Sequence, residues 1–166
     1  MENQRLTIGD FILLLLTLLY AMMLGGGMYE QLNITPKIAA APPQSLAMMQ
    51  GPYGFNPIKF WVLFRPITIL LFVIGLGVNW KNTSRRKLIG VAFLIDSFST
   101  ASTFLYFAPE TDLITSIPYS TTEVNEVIQA RAQRWMNLNW LRIGAFVVAV
   151  GLLLISLTRD SRQRHT

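Results

Sequence analysis

The sequence predicts an all-α protein: a polytopic membrane four-helix bundle with short helices in its outer connectors. Three observations predict it. Four apolar runs, residues 8–28, 60–78, 88–107 and 138–157, are each close to the ~20 residues a helix needs to cross a ~30 Å hydrocarbon core. Apolar residues make up 52% of the 166 and charged residues 14%, where a soluble domain carries about 25%. Lys and Arg gather at one end of the spans: Arg5, Lys81, Arg85, Arg86, Lys87, Arg159, Arg162 and Arg164 share that side.

The first span is interrupted only by Asp10 near its start and by Thr17. It is too long for the h-region of a signal peptide, and Gly25-Gly26-Gly27 runs into Glu30 without a small-x-small cleavage site, so a retained helix is expected. The triple glycine permits close packing against a neighbour. It also permits a bend that admits a ligand, which is tolerable only where backbone lines protein or a cavity. The connector 29–59 carries Pro36, Pro42, Pro43, Pro52 and Pro57, with residues 44–50 fitting two helical turns. A connector of that length is either a lid or an inert cap. Asn33-Ile34-Thr35 matches the N-glycosylation acceptor pattern.

In the second span Trp61 suits an interfacial anchor. Arg65 lies about a turn and a half inside the run and is followed by Pro66. Residues 79–87 form a short basic turn. The third span, LIGVAFLIDSFSTASTFLYF, holds one charge, Asp96, near its middle, followed by Ser97, Ser99, Thr100, Ser102 and Thr103. A carboxylate at that depth costs roughly 2.5–3.5 kcal/mol unless it faces a bundle interior. The second outer connector, 108–137, includes Ser120-x-x-Glu123. That pattern fits a capping box, opening a helix that runs through Arg131 and Arg134 into the fourth span.

The distribution of Lys and Arg puts both termini in the cytoplasm, as expected for a multi-pass protein of a bacterial inner membrane. The basic excess of +5 is therefore a topology signal with contact to an anionic bilayer surface. No nucleic-acid-binding motif accompanies it. The absence of cysteine removes disulfides, thiolate metal sites and cysteine nucleophiles. The one histidine, His165, sits in the tail, so neither an intramembrane His-ligated metal nor a Ser–His nucleophile is expected. There is no P-loop, and the glycines at 25–27 follow no strand, so no cofactor is expected.

The polar residues at membrane depth gather toward the outer half. Glu30 closes the first helix, Arg65 lies near the outer end of the second, and Asn139 and Arg142 near that of the fourth. Asp96, Ser99, Thr103 and Tyr106 follow the spacing of one helical face, as do Trp135, Asn139, Arg142 and Phe146. Turned inward, the two faces would line a pocket open to the outside. A purely structural alternative exists: Arg65 and Arg142 snorkel to headgroups, and hydroxyls or protonation settle Asp96. Intramembrane ionisable residues are nonetheless functional candidates by default.

At Gly26–Glu30, Phe60-Trp61 and Trp135-x-x-x-Asn139-x-x-Arg142 the chain resembles small four-span membrane proteins of the anthrone-oxygenase-like group. The resemblance covers the whole chain in layout. It implies a four-helix bundle with a long first outer connector, and oxidation of a polycyclic aromatic substrate by dioxygen without metal or flavin. Asn139 and Trp140 stand near where such oxygenases are proposed to use a histidine.

Two functions follow as expectations. The first is binding, with oxidation as an extension, of a hydrophobic or amphipathic small molecule. Asp96 would be the base, Arg65 and Arg142 would hold an oxygen, and Asn139 would donate a hydrogen bond. Trp61, Trp135, Ser99, Thr103 and Tyr106 would line the pocket, and Glu30 would orient an arginine. The second is a non-catalytic subunit, packed against its own copies or other membrane proteins.

Overall fold

The computed structural model describes residues 6–121 and 123–159. Arg5, Arg162 and Arg164, which carry part of the charge argument, and His165 lie outside the described residues. Four long apolar helical runs, of a length and composition to cross a bilayer, organise the chain, and no strand occurs among the described residues. The chain is thus a multi-pass integral membrane protein.

Helix α1 (Ile8–Tyr29) passes through a π-helical turn (Glu30–Ile34) into α2 (Thr35–Ile38). A 3-10 turn (Gln44–Leu46) leads to α3 (Ala47–Gln50), and α4 spans Ile58–Val78 with Pro66 inside it. Helix α5 (Thr83–Ser102) passes through a second π turn (Thr103–Phe107) into α6 (Ala108–Thr115), and α7 runs 32 residues, Glu126–Leu157.

Local chemistry sets the helix starts. Thr7 and Asp10 form a reciprocal capping box: Thr7 N donates to Asp10 Oδ2 at 2.8 Å, and Asp10 N to Thr7 Oγ1 at 3.1 Å. That satisfies two orphan amides and explains an acid at the mouth of a span. Helix α7 begins later than the Ser120-x-x-Glu123 pattern suggests. Its cap is Asn125, whose Oδ1 accepts from Ile128 N at 3.1 Å. The acceptor pattern at 33–35 is helical as well, and Thr35 is 5% exposed with its hydroxyl on Glu30 O, so it offers no open loop for glycosylation.

The chain divides into two compact units. The first comprises residues 1–24, 60–97 and 145–166, and is a four-helix bundle. Leu13, Leu16 and Tyr20 of α1, Phe72 of α4, Ile89 and Ala92 of α5, and Phe146, Ala149 and Leu153 of α7 form its core. Lipid tails are as apolar as these side chains, so close van der Waals packing of the four faces and the polar contacts between helices hold it. One end is tied by Arg85, 2% exposed. Its Nη1 meets Asp10 Oδ1 at 2.6 Å and Asn79 Oδ1 at 3.3 Å, while Nε and Nη2 donate to the Arg159 carbonyl at 2.9 and 2.6 Å. One guanidinium so links groups contributed by α1, the 79–82 turn, α5 and the end of α7.

The second unit comprises Gly25–Lys59 and Phe98–Gly144. Its core is Ala39, Leu46, Ile114 and Ala132, with Ile38, Ile128 and Trp135 against it. The Gln50 amide donates to the carbonyls of Thr115 and Ile117 at 2.7 and 3.1 Å and accepts from Tyr119 N at 3.0 Å. Gln129 donates to Ala40 O and Asn125 N to Pro42 O. Arg131 pairs with Glu110 at 2.9 Å. The long first connector is therefore stitched to the second by the side-chain amides of Gln50 and Gln129 and by one backbone bond.

Candidate functional site

The residues singled out from the sequence fall into two clusters, one in each unit. Arg65, Asp96 and Trp61 belong to the first. Glu30, Ser99, Thr103, Tyr106, Trp135, Asn139 and Arg142 belong to the second.

In the first unit the inward face of α5 carries Ile89, Ala92 and Asp96, all 0% exposed. Arg65 Nη1 donates to Asp96 Oδ1 at 2.5 Å, and Tyr20 OH donates to the same oxygen at 3.1 Å. Aromatic rings close around the pair. Tyr20 stands edge-on to Phe72 and Phe146 at 5.6 and 5.4 Å, and the Arg65 guanidinium carbon lies 5.6 Å from the Phe146 centroid. Trp61 packs against Phe146 at 6.4 Å. Arg65 thus turns inward to a counter-charge rather than snorkelling. Asp96 and Tyr20 are 0% and 1% exposed, so a reagent reaches them only if the helices part.

In the second unit Arg142 is the hub. Its Nη2 donates to Thr103 Oγ1 at 2.9 Å and its Nη1 to Asn139 Oδ1 at 3.2 Å. Its guanidinium carbon lies 4.3 Å from the Phe107 centroid, a cation–π distance. Asn139 Nδ2 donates onward to Gln31 Oε1 at 2.7 Å, and Gln31 Nε2 to Met136 O at 2.9 Å. Trp135 Nε1 donates to Phe107 O at 3.1 Å, with its ring edge-on to Phe107 at 5.5 Å. Each amide in the chain has its orientation set by a neighbour, so the hub is pre-organised.

The two π turns explain where helical spacing misled. A regular continuation of α5 puts Tyr106 on the face of Ser99 and Thr103. A π turn takes up an extra residue before closing its hydrogen bond. Phe107, 6% exposed, therefore points inward, while Tyr106 is half-buried and edge-on to Phe107 at 5.1 Å. The first π turn acts likewise: Gln31, 1% exposed, takes the fully inward place and Glu30 is half-buried. Sequence reasoning missed Gln31 and Phe107 as members of this cluster. It also missed Arg85, counted only as a topology charge, although Asp10 inside an apolar run was a signal that a cation would meet it.

Among the described residues no group of acidic and histidine side chains has metal-site spacing. An open groove of about 450 Å³ on the first turns of α7, lined by Glu126, Val127, Ala130, Arg131 and Arg134, includes none of the residues singled out. Comparison of the chain with known protein families, curated proteins and solved structures returns no match.

Proposed function

We propose that this membrane protein binds an amphipathic small molecule at the Arg142 cluster of its second unit. The molecule's polar end meets Arg142, which Asn139 and Thr103 orient, and its apolar body lies along Phe107 and Trp135. The observation that carries this reading is the pair of π turns. Well under 1% of residues are π-helical, and single π turns sit mostly at functional sites. Here two occur in one unit, and both feed the same polar network, through Gln31 from one and through Thr103 and Phe107 from the other. An ordinary span has no need of either.

Asp96, sealed and already accepting from Arg65 and Tyr20, suits a clasp better than a base in this reading. Oxidation of the bound molecule without metal or flavin is the extension that the anthrone-oxygenase-like resemblance implies. The charge distribution supports a reading with both termini in the cytoplasm of a bacterial inner membrane.

The test is mass spectrometry of small molecules that co-purify with wild type and with Arg142→Gln, at matched yield and thermal stability. A compound enriched with wild type and lost from the variant is expected. Identical inventories would overturn the proposal.

A second reading, a non-catalytic partner of other membrane chains, is favoured by Gly25, Gly77 and Gly144. All three are exposed on long helices with open space where a side chain would stand. Small surface residues of this kind let helices of two chains approach closely.

A further inference from the structure

Ser99 is 2% exposed on the inward face of α5, and its hydroxyl has no hydrogen-bond partner among the described residues. Neighbouring hydroxyls behave differently. Ser97 donates to Phe93 O at 2.8 Å, and Ser102 and Thr103 both donate to the carbonyl of Ser99, at 2.8 and 2.9 Å. Returning the proton to the preceding turn is the usual resolution for a serine in an apolar helix. A buried hydroxyl that does not take it has lost its water without replacement.

Its position is informative. Thr103 lies one turn further on, and side chains at i and i+4 stand beside each other, about 5–6 Å apart at Cβ. Thr103 Oγ1 accepts from Arg142 Nη2 at 2.9 Å while donating its own proton to Ser99 O, so its bonding is committed. The Ser99 hydroxyl is the uncommitted donor next to that guanidinium contact.

Resting on the amphiphile reading above, we infer that Ser99 is a ligand-contacting, specificity-determining residue of the Arg142 site, and that the ligand is an oxygen-headed amphiphile. Its polar end presents an acceptor oxygen, as a carboxylate, enolate or carbonyl does, and Ser99 donates to it beside Arg142. A cationic head of equal size offers no acceptor to either donor and is excluded. No bond is made or broken in this step.

The experiment uses the full chain in lipid nanodiscs, with dodecanoate and dodecyltrimethylammonium as probes of equal tail length. Thermal unfolding of wild type, Ser99→Ala and Arg142→Gln is followed at each probe concentration. Dodecanoate is expected to raise the Tm of wild type and the ammonium probe to leave it unmoved. Ser99→Ala is expected to unfold at or above the wild-type temperature without probe, because a methyl replaces an unbonded hydroxyl. The same variant should lose at least about tenfold in dodecanoate affinity, since a site built to hydrogen-bond a group discriminates strongly when that bond is removed.

A lower unliganded Tm for Ser99→Ala, unchanged dodecanoate binding, or equal response to both probes would each overturn the inference. If compounds co-purify through Arg142 while dodecanoate moves no variant, the oxygen-head assignment fails and the small-molecule reading stands. If nothing co-purifies either, both fail.

Discussion

Arg65 Nη1 meets Asp96 Oδ1 at 2.5 Å inside an apolar bundle, with the Asp96 side chain 1% exposed and that of Arg65 16%. Two charges taken out of water gain little as a pair over a well-packed apolar replacement. Removing one alone strands the other, at about 3–5 kcal/mol. Asp96→Ala and Arg65→Met are therefore each expected to lower stability by roughly that amount. The double variant Arg65→Met with Asp96→Leu should recover most of the loss. Reversible unfolding in mixed micelles measures this, and additive losses in the double variant would exclude the clasp.

Arg85 gives a parallel case with a different readout. Its guanidinium holds the Arg159 carbonyl as well as Asp10 and Asn79. Arg85→Leu should release the end of α7 and leave Asp10 without its cation. Limited proteolysis from the C-terminus is expected to trim this variant back past Arg159 at protease levels that leave wild type intact. Equal trimming would show that Arg85 does not hold that end.

The π turn of α5 predicts an asymmetry between two deletions. Leu94 and Leu105 are both exposed, at 69% and 82%, on the same helical run. Deleting Leu105 removes the surplus residue of a π turn and lets regular helix close. Deleting Leu94 rotates everything beyond it by about 100°, one residue of an α-helix. The Leu105 deletion should therefore express and fold with a Tm within a few degrees of wild type, having lost the compounds that co-purify with it. The Leu94 deletion should not accumulate as folded protein. Equal tolerance of both would argue against the π register.

Two glycine substitutions, at Gly25 and Gly144, separate the ligand-binding and assembly readings, and a third, at Gly9, is a control for packing within the chain. A Cβ at Gly9 would stand 3.0 Å from Asn79 Oδ1, and Asn79 is held by Gly75 O and Arg85, so it has little room to move. Gly9→Ala should destabilise. At Gly25 and Gly144 nothing lies within 4 Å of an added Cβ. For a chain surrounded by lipid, alanine there should stabilise by about 0.5–1 kcal/mol through helix propensity. Loss of stability at Gly25 or Gly144, together with a fall in oligomer by cross-linking in the bilayer, would favour the assembly reading instead.

Much of the fold was legible because hydrocarbon leaves few choices. Backbone in a bilayer must bond to itself, so a 20-residue apolar run is a helix whatever its neighbours. The third and fourth spans were found that way. The site was legible only by residue type. Arg65, Asp96, Asn139 and Arg142 were conspicuous because polar groups at that depth demand partners. Which partner each took could not be read, because that depends on rotation about the helix axis, and two π turns changed the rotation. Tyr106 and Phe107 exchanged roles for that reason, as did Glu30 and Gln31.

By itself the sequence determined that this chain is helical and membrane-spanning, that its spans carry costly polar groups, and that cysteine and intramembrane histidine chemistry is closed to it. These follow from transfer free energies, which are properties of residues and hardly of their arrangement. Tertiary structure alone decided that Asp96 answers to Arg65 and Tyr20, that Arg142 answers to Thr103 and Asn139, and that Arg85 is a tie rather than a surface charge. Hydrogen bonds are short and directional, so a shift of one residue in a helical turn is enough to reassign them.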